Sequence, residues 1–262
     1  MLANKELLDI AIEATKEAGK AIMEIYNAPF DVEYKDDKSP LTEADKRSNA
    51  IINEYLLKSG IPIISEENKQ IDFSVRKDWE YCWVVDPVDG TKEFVKRNGE
   101  FTVNIALVKK GLPQLGVIGV PAENTLYWGD VVAKSAVKID LGKDDLTSLT
   151  DDQVGPRRTQ NPLRVVGSRS HMNDETKNFI EKLQEEGNST EIVSRGSSLK
   201  FCLMAEGKAD VYPRFAPTME WDTAAGQAIC EAVGINVISL ENNKPLQYNK
   251  QNLLNPWFIV RA

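Results

Sequence analysis

Apolar residues at positions 7, 8, 10, 11, 14, 18, 22 and 25 recur at close to helical spacing, so LLDIAIEATKEAGKAIMEIYN (7–27) is predicted to be an amphipathic helix with one buried stripe. A second helix is predicted from Thr42. There T-E-A-D offers a side-chain oxygen at the cap and an acid three residues on, followed by Ala44, Ile51, Ile52, Leu56 and Leu57, with an end near Gly60. Two short apolar runs, IPIIS (61–65) and YCWVVD (81–86), have the length of buried strands, and each leads into acidic residues, the usual position of carboxylates facing a cleft. From Phe101 to Ile139 the runs FTVNIALV, QLGVIGVP, TLYWGDVV and KSAVKI alternate with Gly and Pro turns and read as an antiparallel meander.

Residues 140–162 are rich in Asp, Gly, Pro and Thr and read as a surface connection. Beyond it the pattern is strand (LRVVGS), helix (NDETKNFIEKLQEEG), strand (TEIVS), helix (SSLKFCLMAEG), strand (DVYPRF), helix (WDTAAGQAICEAVG) and strand, which implies a second α/β lobe. The expected division is an N-terminal α+β lobe over 1–155 and a C-terminal α/β lobe over 156–262, with no internal repeat.

Composition narrows the function classes. The 262 residues are 42% apolar and 27% charged, as in an ordinary globular protein. No stretch approaches the ~20 consecutive apolar residues of a membrane span, and the charged, amphipathic start is unlike a signal peptide. A cytoplasmic protein is expected, with a peripheral place at the inner face of the membrane as the second option. A net charge of −8 argues against nucleic-acid binding through a broad basic surface. An acidic protein that handles an anion must gather positive charge locally, as bound cations would. Cys82, Cys202 and Cys230 are far apart and in no ligand spacing, so they read as buried thiols. The single histidine, His171, rules out mechanisms that need a histidine pair. Nothing in the sequence sets an oligomeric state.

The densest chemistry lies in Trp83-Val84-Val85-Asp86-Pro87-Val88-Asp89-Gly90-Thr91. A buried strand delivers Asp86 to its end, Pro87 fixes φ, and Asp89 follows in a turn completed by Gly90. Two carboxylates and the Val88 carbonyl can then converge on one hard cation, and an all-oxygen donor set favours magnesium over zinc. The Gly90-Thr91 step should open a short helix whose free N–H groups face an anion beside the metal. By itself D-P-x-D-G also fits a plain tight turn. Two further acidic segments weigh against that: Ile64-Ser65-Glu66-Glu67, and Glu220-Trp221-Asp222-Thr223-Ala224-Ala225-Gly226, where Asp222 could also serve as a helix N-cap.

Taken together, Ser65-Glu66-Glu67, Asp86 through Thr91, Trp221 through Gly226 and Ser39-Pro40-Leu41-Thr42-Glu43-Ala44-Asp45 resemble the inositol monophosphatase superfamily of lithium-sensitive, magnesium-dependent phosphatases, from about residue 7 to the C-terminus. The resemblance implies a layered α-β-α-β-α sandwich. It implies two or three Mg²⁺ ions bound by Glu66, Asp86, the Val88 carbonyl, Asp89 and Asp222, and a water oriented by Thr91 and Asp45. Glu67, beside the ligands, is either a supporting catalytic acid or a solvated one.

Substrate choice must come from outside the metal site. Ser168 and His171 follow one strand, Ser197 and Lys200 open a helix, and Arg214 follows another strand, where Ser197, Lys200 and Arg214 could clamp a second phosphate. Gly90, Thr91 and Asp222 would meet the phosphate that is cleaved. The elements S-R-S-H, G-S-S-L-K-F-C and Y-P-R-F resemble the CysQ-type 3′(2′),5′-bisphosphate nucleotidase branch, which implies a small nucleoside bisphosphate substrate, adenosine 3′,5′-bisphosphate cleaved to AMP, and a link to sulfate assimilation. The alternatives are a cap or surface place for His171, a surface salt bridge for Arg214, an inositol or sugar monophosphatase with the same metals, and a binding or regulatory protein in which catalysis is secondary.

Overall fold

The computed structural model describes residues 4–34, 40–143, 145–149, 162–167 and 172–261. Helix α1 (Asn4–Tyr26) buries Leu7, Leu8, Ala11, Ala14, Ala18 and Ile22, while Ile10 and Ile25 are only partly covered. Helix α2 (Glu43–Leu56) starts at the expected cap. Ala44 N–H donates to Thr42 Oγ1 at 3.2 Å, and Asp45 Oδ2 accepts from the Thr42 N–H at 2.7 Å. It ends in a 3₁₀ turn at Leu57–Ser59 and a left-handed Gly60. A two-stranded ribbon of β1 (Val32–Tyr34) and β2 (Pro40–Thr42) joins the two helices.

The first half of the chain forms a seven-stranded sheet that runs in chain order: β3 (Ile63–Ser65), β4 (Tyr81–Asp89), β5 (Thr102–Lys109), β6 (Leu112–Val120), β7 (Thr125–Asp130), β8 (Ser135–Asp140) and β9 (Asp145–Leu149). Only β3 and β4 are parallel; the rest form the expected meander. One correction concerns β9. It lies inside the stretch read as a surface connection; its polar, mostly exposed residues at the sheet edge gave no strand pattern.

Period-two alternation sends Trp83, Val85, Ile105, Leu107 and Val117 against α1 and α2, and Cys82, Val84, Ala106, Val108 and Ile118 to the opposite face. Burial on both faces explains why these strands read as continuous apolar runs.

The second sheet has the order β11 (Thr190–Val193), β10 (Leu163–Val166), β12 (Val211–Arg214), β14 (Phe258–Arg261) and β13 (Asn236–Ser239). It is parallel through β12 and antiparallel beyond. Helix α5 (Asp174–Glu185) covers its outer face through Ile180 and Leu183. Helices α6 (Leu199–Ala205) and α7 (Ala224–Ala232) lie between the two sheets in a core drawn from both halves of the chain. The order is α-β-α-β-α, as the family resemblance implied. In addition to α3 (Phe73–Arg76) and α4 (Thr91–Val95), short 3₁₀ turns complete the elements. No helix among the described residues is long and apolar enough to cross a membrane.

Helix α7 sits unusually close to the large sheet because the sheet offers it glycines. A Cβ on Gly116 would lie 2.3 Å from the Ala225 carbonyl oxygen, and one on Gly129 would lie 2.7 Å from Ile229 Cα. The small residues of the A-A-G-Q-A run fill the helix side of the same contact.

Candidate active site

Parallel pairing of Ser65 with Val85 brings the ends of β3 and β4 together, and the Glu66 N–H donates to the Val85 carbonyl at 3.2 Å. Glu66 is thereby set beside Asp86. The sequence expectation that β4 stops at Asp86, with Asp89 in a following turn, needs correction: β4 continues to Asp89 through a bulge. Asp86 pairs with Asn104 and Asp89 with Thr102, so three steps on β4 face two on β5. In a regular strand, residues three apart point to opposite faces. The extra residue restores both carboxylates to the face shared by Thr102, Asn104 and Ala106, which looks toward α6 and α7. Ser48 of α2, fully buried, holds the bulge by donating from Oγ to the Pro87 carbonyl at 2.8 Å.

Gly90 then turns the chain into α4 with a φ of 91°, a left-handed conformation that glycine adopts without penalty. Space excludes a side chain here too, because a Cβ would lie 2.0 Å from Ser197 Oγ. Ser197, itself at a φ of 46°, donates its hydroxyl toward the carbonyls of Asp89 (2.9 Å) and Glu100 (2.7 Å). Its side chain thus fastens the acidic loop to the segment that leads into α6.

Asp222 arrives from the second half of the chain in a 3₁₀ turn, Glu220–Asp222. It is not the N-cap of α7, the alternative raised from the sequence; Thr223 holds that position, and Asp222 Oδ2 accepts from the Met219 N–H at 2.9 Å. Asp89 Oδ2 accepts from Ser198 Oγ at 2.7 Å and lies 3.3 Å from both Thr102 Oγ1 and Asn104 Nδ2. Asp86 Oδ1 accepts from the Val88 N–H at 3.1 Å. Thr91 Oγ1 lies 3.1 Å from Asp45 Oδ1 and 3.2 Å from the Val88 carbonyl. Glu67 is half-buried one residue beyond Glu66, its N–H 3.4 Å from Ser65 Oγ. Ser168 and His171 lie outside the described residues.

So much negative charge in one place is costly without a counterion. Burial, and then the charges of Glu66, Asp89, Asp222 and Asp45, push the Asp86 carboxyl well above the usual range. Burial and the charge of Asp89 push Asp222 up to about 7. No three acidic side chains among the described residues already stand as a closed ligand cluster. The donor set nonetheless fits a hard divalent cation: every candidate ligand is an oxygen, and the hydrogen bonds above fall on one oxygen of each of Asp86, Asp89 and Asp222, leaving the other to a cation. Asn104 Oδ1, on a residue only 1% exposed beside Asp89, has no hydrogen-bond partner among the described residues, which suits an acceptor for cation-bound water.

A cleft of about 710 Å³ opens from these acids, lined among others by Asp89, Gly90, Ser197, Lys200, Arg214 and Asp222. The same lining carries cations. Lys200 Nζ donates to the Ser197 carbonyl at 3.1 Å, and Arg214 Nη2 to the Pro217 carbonyl at 3.2 Å, while the buried Arg214 Nε has no partner among the described residues. Burial lowers the Lys200 pKa, the Asp89 charge opposes that, and the adjacent Arg214 charge lowers it further. Two cations side by side at the rim of an acidic site are arranged for an anion. A separate cleft of about 450 Å³ between α1 and β6–β7 has Lys16 and Lys20 but no acidic side chain in its lining.

Sequence reasoning did not single out Asn104, Ser198 or Ser48. The signal for Asn104 was present: a polar residue in the middle of the apolar run F-T-V-N-I-A-L-V is conspicuous once that strand is known to be buried on both faces.

Layered fold and acid-lined cleft together define a metal-dependent phosphatase. The chain belongs to the inositol monophosphatase family, whose profile matches residues 3–257. The Escherichia coli K12 3′(2′),5′-bisphosphate nucleotidase CysQ is 44% identical over 259 residues, covering 97% of this chain and 99% of that protein. The crystal structure of CysQ from Bacteroides thetaiotaomicron, described as a bacterial member of the inositol monophosphatase family, superposes with a TM-score of 0.85 at 44% identity over 100% of this chain and 99% of that one. The extragenic suppressor protein suhB of Bartonella henselae, at 21% identity, shares the fold with a TM-score of 0.72 over 98% of this chain and 94% of its own.

Proposed function

We propose that this protein is a magnesium-dependent 3′(2′),5′-bisphosphate nucleotidase that removes the 3′-phosphate of adenosine 3′,5′-bisphosphate, giving AMP and phosphate. The observation that carries this reading is the Lys200–Arg214 pair lining the same cleft as Asp89 and Asp222, which suits a substrate with a second phosphate. The two CysQ proteins, similar over nearly their whole length, support it.

In this reading the lobe of residues 1–155 supplies Glu66, Asp86, the Val88 carbonyl and Asp89 as ligands of two or three Mg²⁺ ions. The lobe of residues 156–262 supplies Asp222 and the substrate contacts. When bound, the ions neutralise charge on the phosphoryl group and acidify a water. Thr91 donates its hydroxyl proton to Asp45 Oδ1, which leaves its oxygen lone pairs to accept from the attacking water; the water's proton passes through Thr91 to Asp45. Main-chain N–H groups of Gly90 and Thr91 steady the phosphoryl oxygens. Arg214 and Lys200 hold the uncleaved phosphate, where Arg makes paired hydrogen bonds and Lys a point-charge contact. Ser168 and His171 are assigned to the nucleoside side, and Glu67 to orienting the neighbouring ligands.

The test is phosphate release from adenosine 3′,5′-bisphosphate, its sulfated analogue, inositol 1-phosphate and fructose 1,6-bisphosphate, each with and without magnesium. The nucleotides should lead by kcat/KM, and only with magnesium. A clear preference for inositol 1-phosphate or the sugar phosphate would replace this reading with that of a monophosphatase or sugar phosphatase.

A further inference from the structure

Asp89 belongs to the large sheet and Asp222 to the second lobe, yet one side chain touches both. Ser198 Oγ is 2.7 Å from Asp89 Oδ2 and 3.0 Å from the Asp222 main-chain carbonyl, and Asn104 Nδ2 donates to Ser198 Oγ at 2.8 Å. Ser198 is 2% exposed and Asn104 1%. The hydroxyl has a single proton, and the charged oxygen at the shorter distance takes it. Asn104 then donates to the lone pairs of Ser198, and its second amide hydrogen points to Asp89 Oδ2, 3.3 Å away. Asp89 is thus gripped on one oxygen from both lobes.

We infer that Ser198 and Asn104 are positioning residues that set the cation affinity of the site by fixing the Asp89 carboxylate between β5 and the start of α6. The inference rests on the metal-site reading above. With Oδ2 held from both sides, the Asp89 carboxylate cannot rotate, and Oδ1 is presented in one direction only. Without the lock, each cation that enters must itself order the carboxylate, at a cost in binding free energy. Asn104 adds a second contribution, since its Oδ1, without a partner among the described residues, lies beside the ligand it orients.

The experiment uses the full chain and magnesium or manganese as the probe. Cation binding is followed by calorimetry without substrate, alongside the magnesium dependence of phosphate release and thermal melting in EDTA. Ser198→Ala should weaken cation binding about 10- to 100-fold, the range for losing a residue that orients a ligand. The magnesium needed for half-maximal rate should rise by a similar factor, and added magnesium should recover most of the rate. Ser198→Thr, which keeps the hydroxyl, should restore affinity. Asn104→Ser should reproduce the weakening independently from the sheet side. A folded Ser198→Ala protein with unchanged cation affinity overturns the inference, as does a loss that Ser198→Thr fails to restore. Wild-type protein that binds magnesium but releases no phosphate from the nucleotide would instead count against the proposed substrate and leave the positioning result readable.

Discussion

Thr91 Oγ1 stands 3.1 Å from Asp45 Oδ1, while Asp45 Oδ2 is held by the Thr42 N–H at 2.7 Å and the Thr42 hydroxyl at 2.6 Å. A single carboxylate therefore closes the first turn of α2 with one oxygen and reaches the start of α4 with the other. Helix capping fixes the rotamer that the proposed proton relay needs.

Removing this relay should cost rate more than binding. Thr91→Ala and Asp45→Asn are each expected to lower kcat by about 10²- to 10⁴-fold, the usual contribution of a positioned acid or base. KM should move little, and Thr91→Ser should retain most of the activity. Because the pair acts as a unit, the double variant should be scarcely worse than either single one. Steady-state kinetics at saturating magnesium decides this; full additivity would separate the two roles.

Stripping the cations should reveal a pH dependence of stability with a definite sign. Asp222 is raised from its ordinary 3.8 to about 7, and Asp86 is raised in the same direction. Between about pH 4 and 7 the folded chain therefore holds protons that the unfolded chain has released, so stability falls as pH rises across that window. In EDTA the melting temperature should drop from pH 5 to pH 7.5, Asp222→Asn should flatten the slope, and magnesium should raise the melting temperature most at the upper end. A flat or rising profile in EDTA would contradict the crowding of these carboxylates. The same Asp222→Asn variant and Asp89→Asn should nearly abolish phosphate release.

Specificity should track Arg214. Replacing it by Ala removes a charge-assisted hydrogen bond worth about 1.5–3 kcal/mol, a ten- to hundredfold loss in kcat/KM for adenosine 3′,5′-bisphosphate that appears mainly in KM. A small monophosphate should be cleaved almost as before. Equal losses on both substrates would tie Arg214 to the scaffold of the cleaved phosphate instead.

Close packing of α7 gives a stability prediction. Gly116→Ala places a methyl group 2.3 Å from the Ala225 carbonyl oxygen, an overlap that the helix can relieve only by moving away. Overpacking of this kind costs about 1–3 kcal/mol, so the melting temperature should fall by several degrees. Asp222, just ahead of α7, should move with the helix, and the magnesium requirement should rise. An unchanged melting temperature would mean that the helix yields freely.

Much of this organisation was legible because it follows from periodicity and turn chemistry. The stripe from Leu7 to Ile22, the Thr42–Asp45 cap, the meander and the α/β alternation of the second lobe are local patterns with few competing readings. The family resemblance supplied the layer order and the acidic set. The misses have physical causes too. β9 carries little apolar patterning because it lies on a solvent edge, and Asp222 looks like a cap because a 3₁₀ turn and a helix start share the same short polar residues. Ser198 looked ordinary because its meaning depends on Asp89, 109 positions earlier in the chain. Long-range pairing of that kind leaves no local trace.

The bulge between Asp86 and Asp89 makes the active face a matter of parity. Straightening β4 with both Pro87 and Val88 in place would swing the second carboxylate through half a turn, out of the cleft and into the apolar layer beneath α1 and α2, where Val88 is now buried. Adding a residue while the bulge stayed would do the same. Two residues between these acids therefore demand the bulge, and a bulge demands an odd number of steps. Spacing and kink act as one unit, which keeps both carboxylates on the cleft side more strictly than the identity of either intervening residue does.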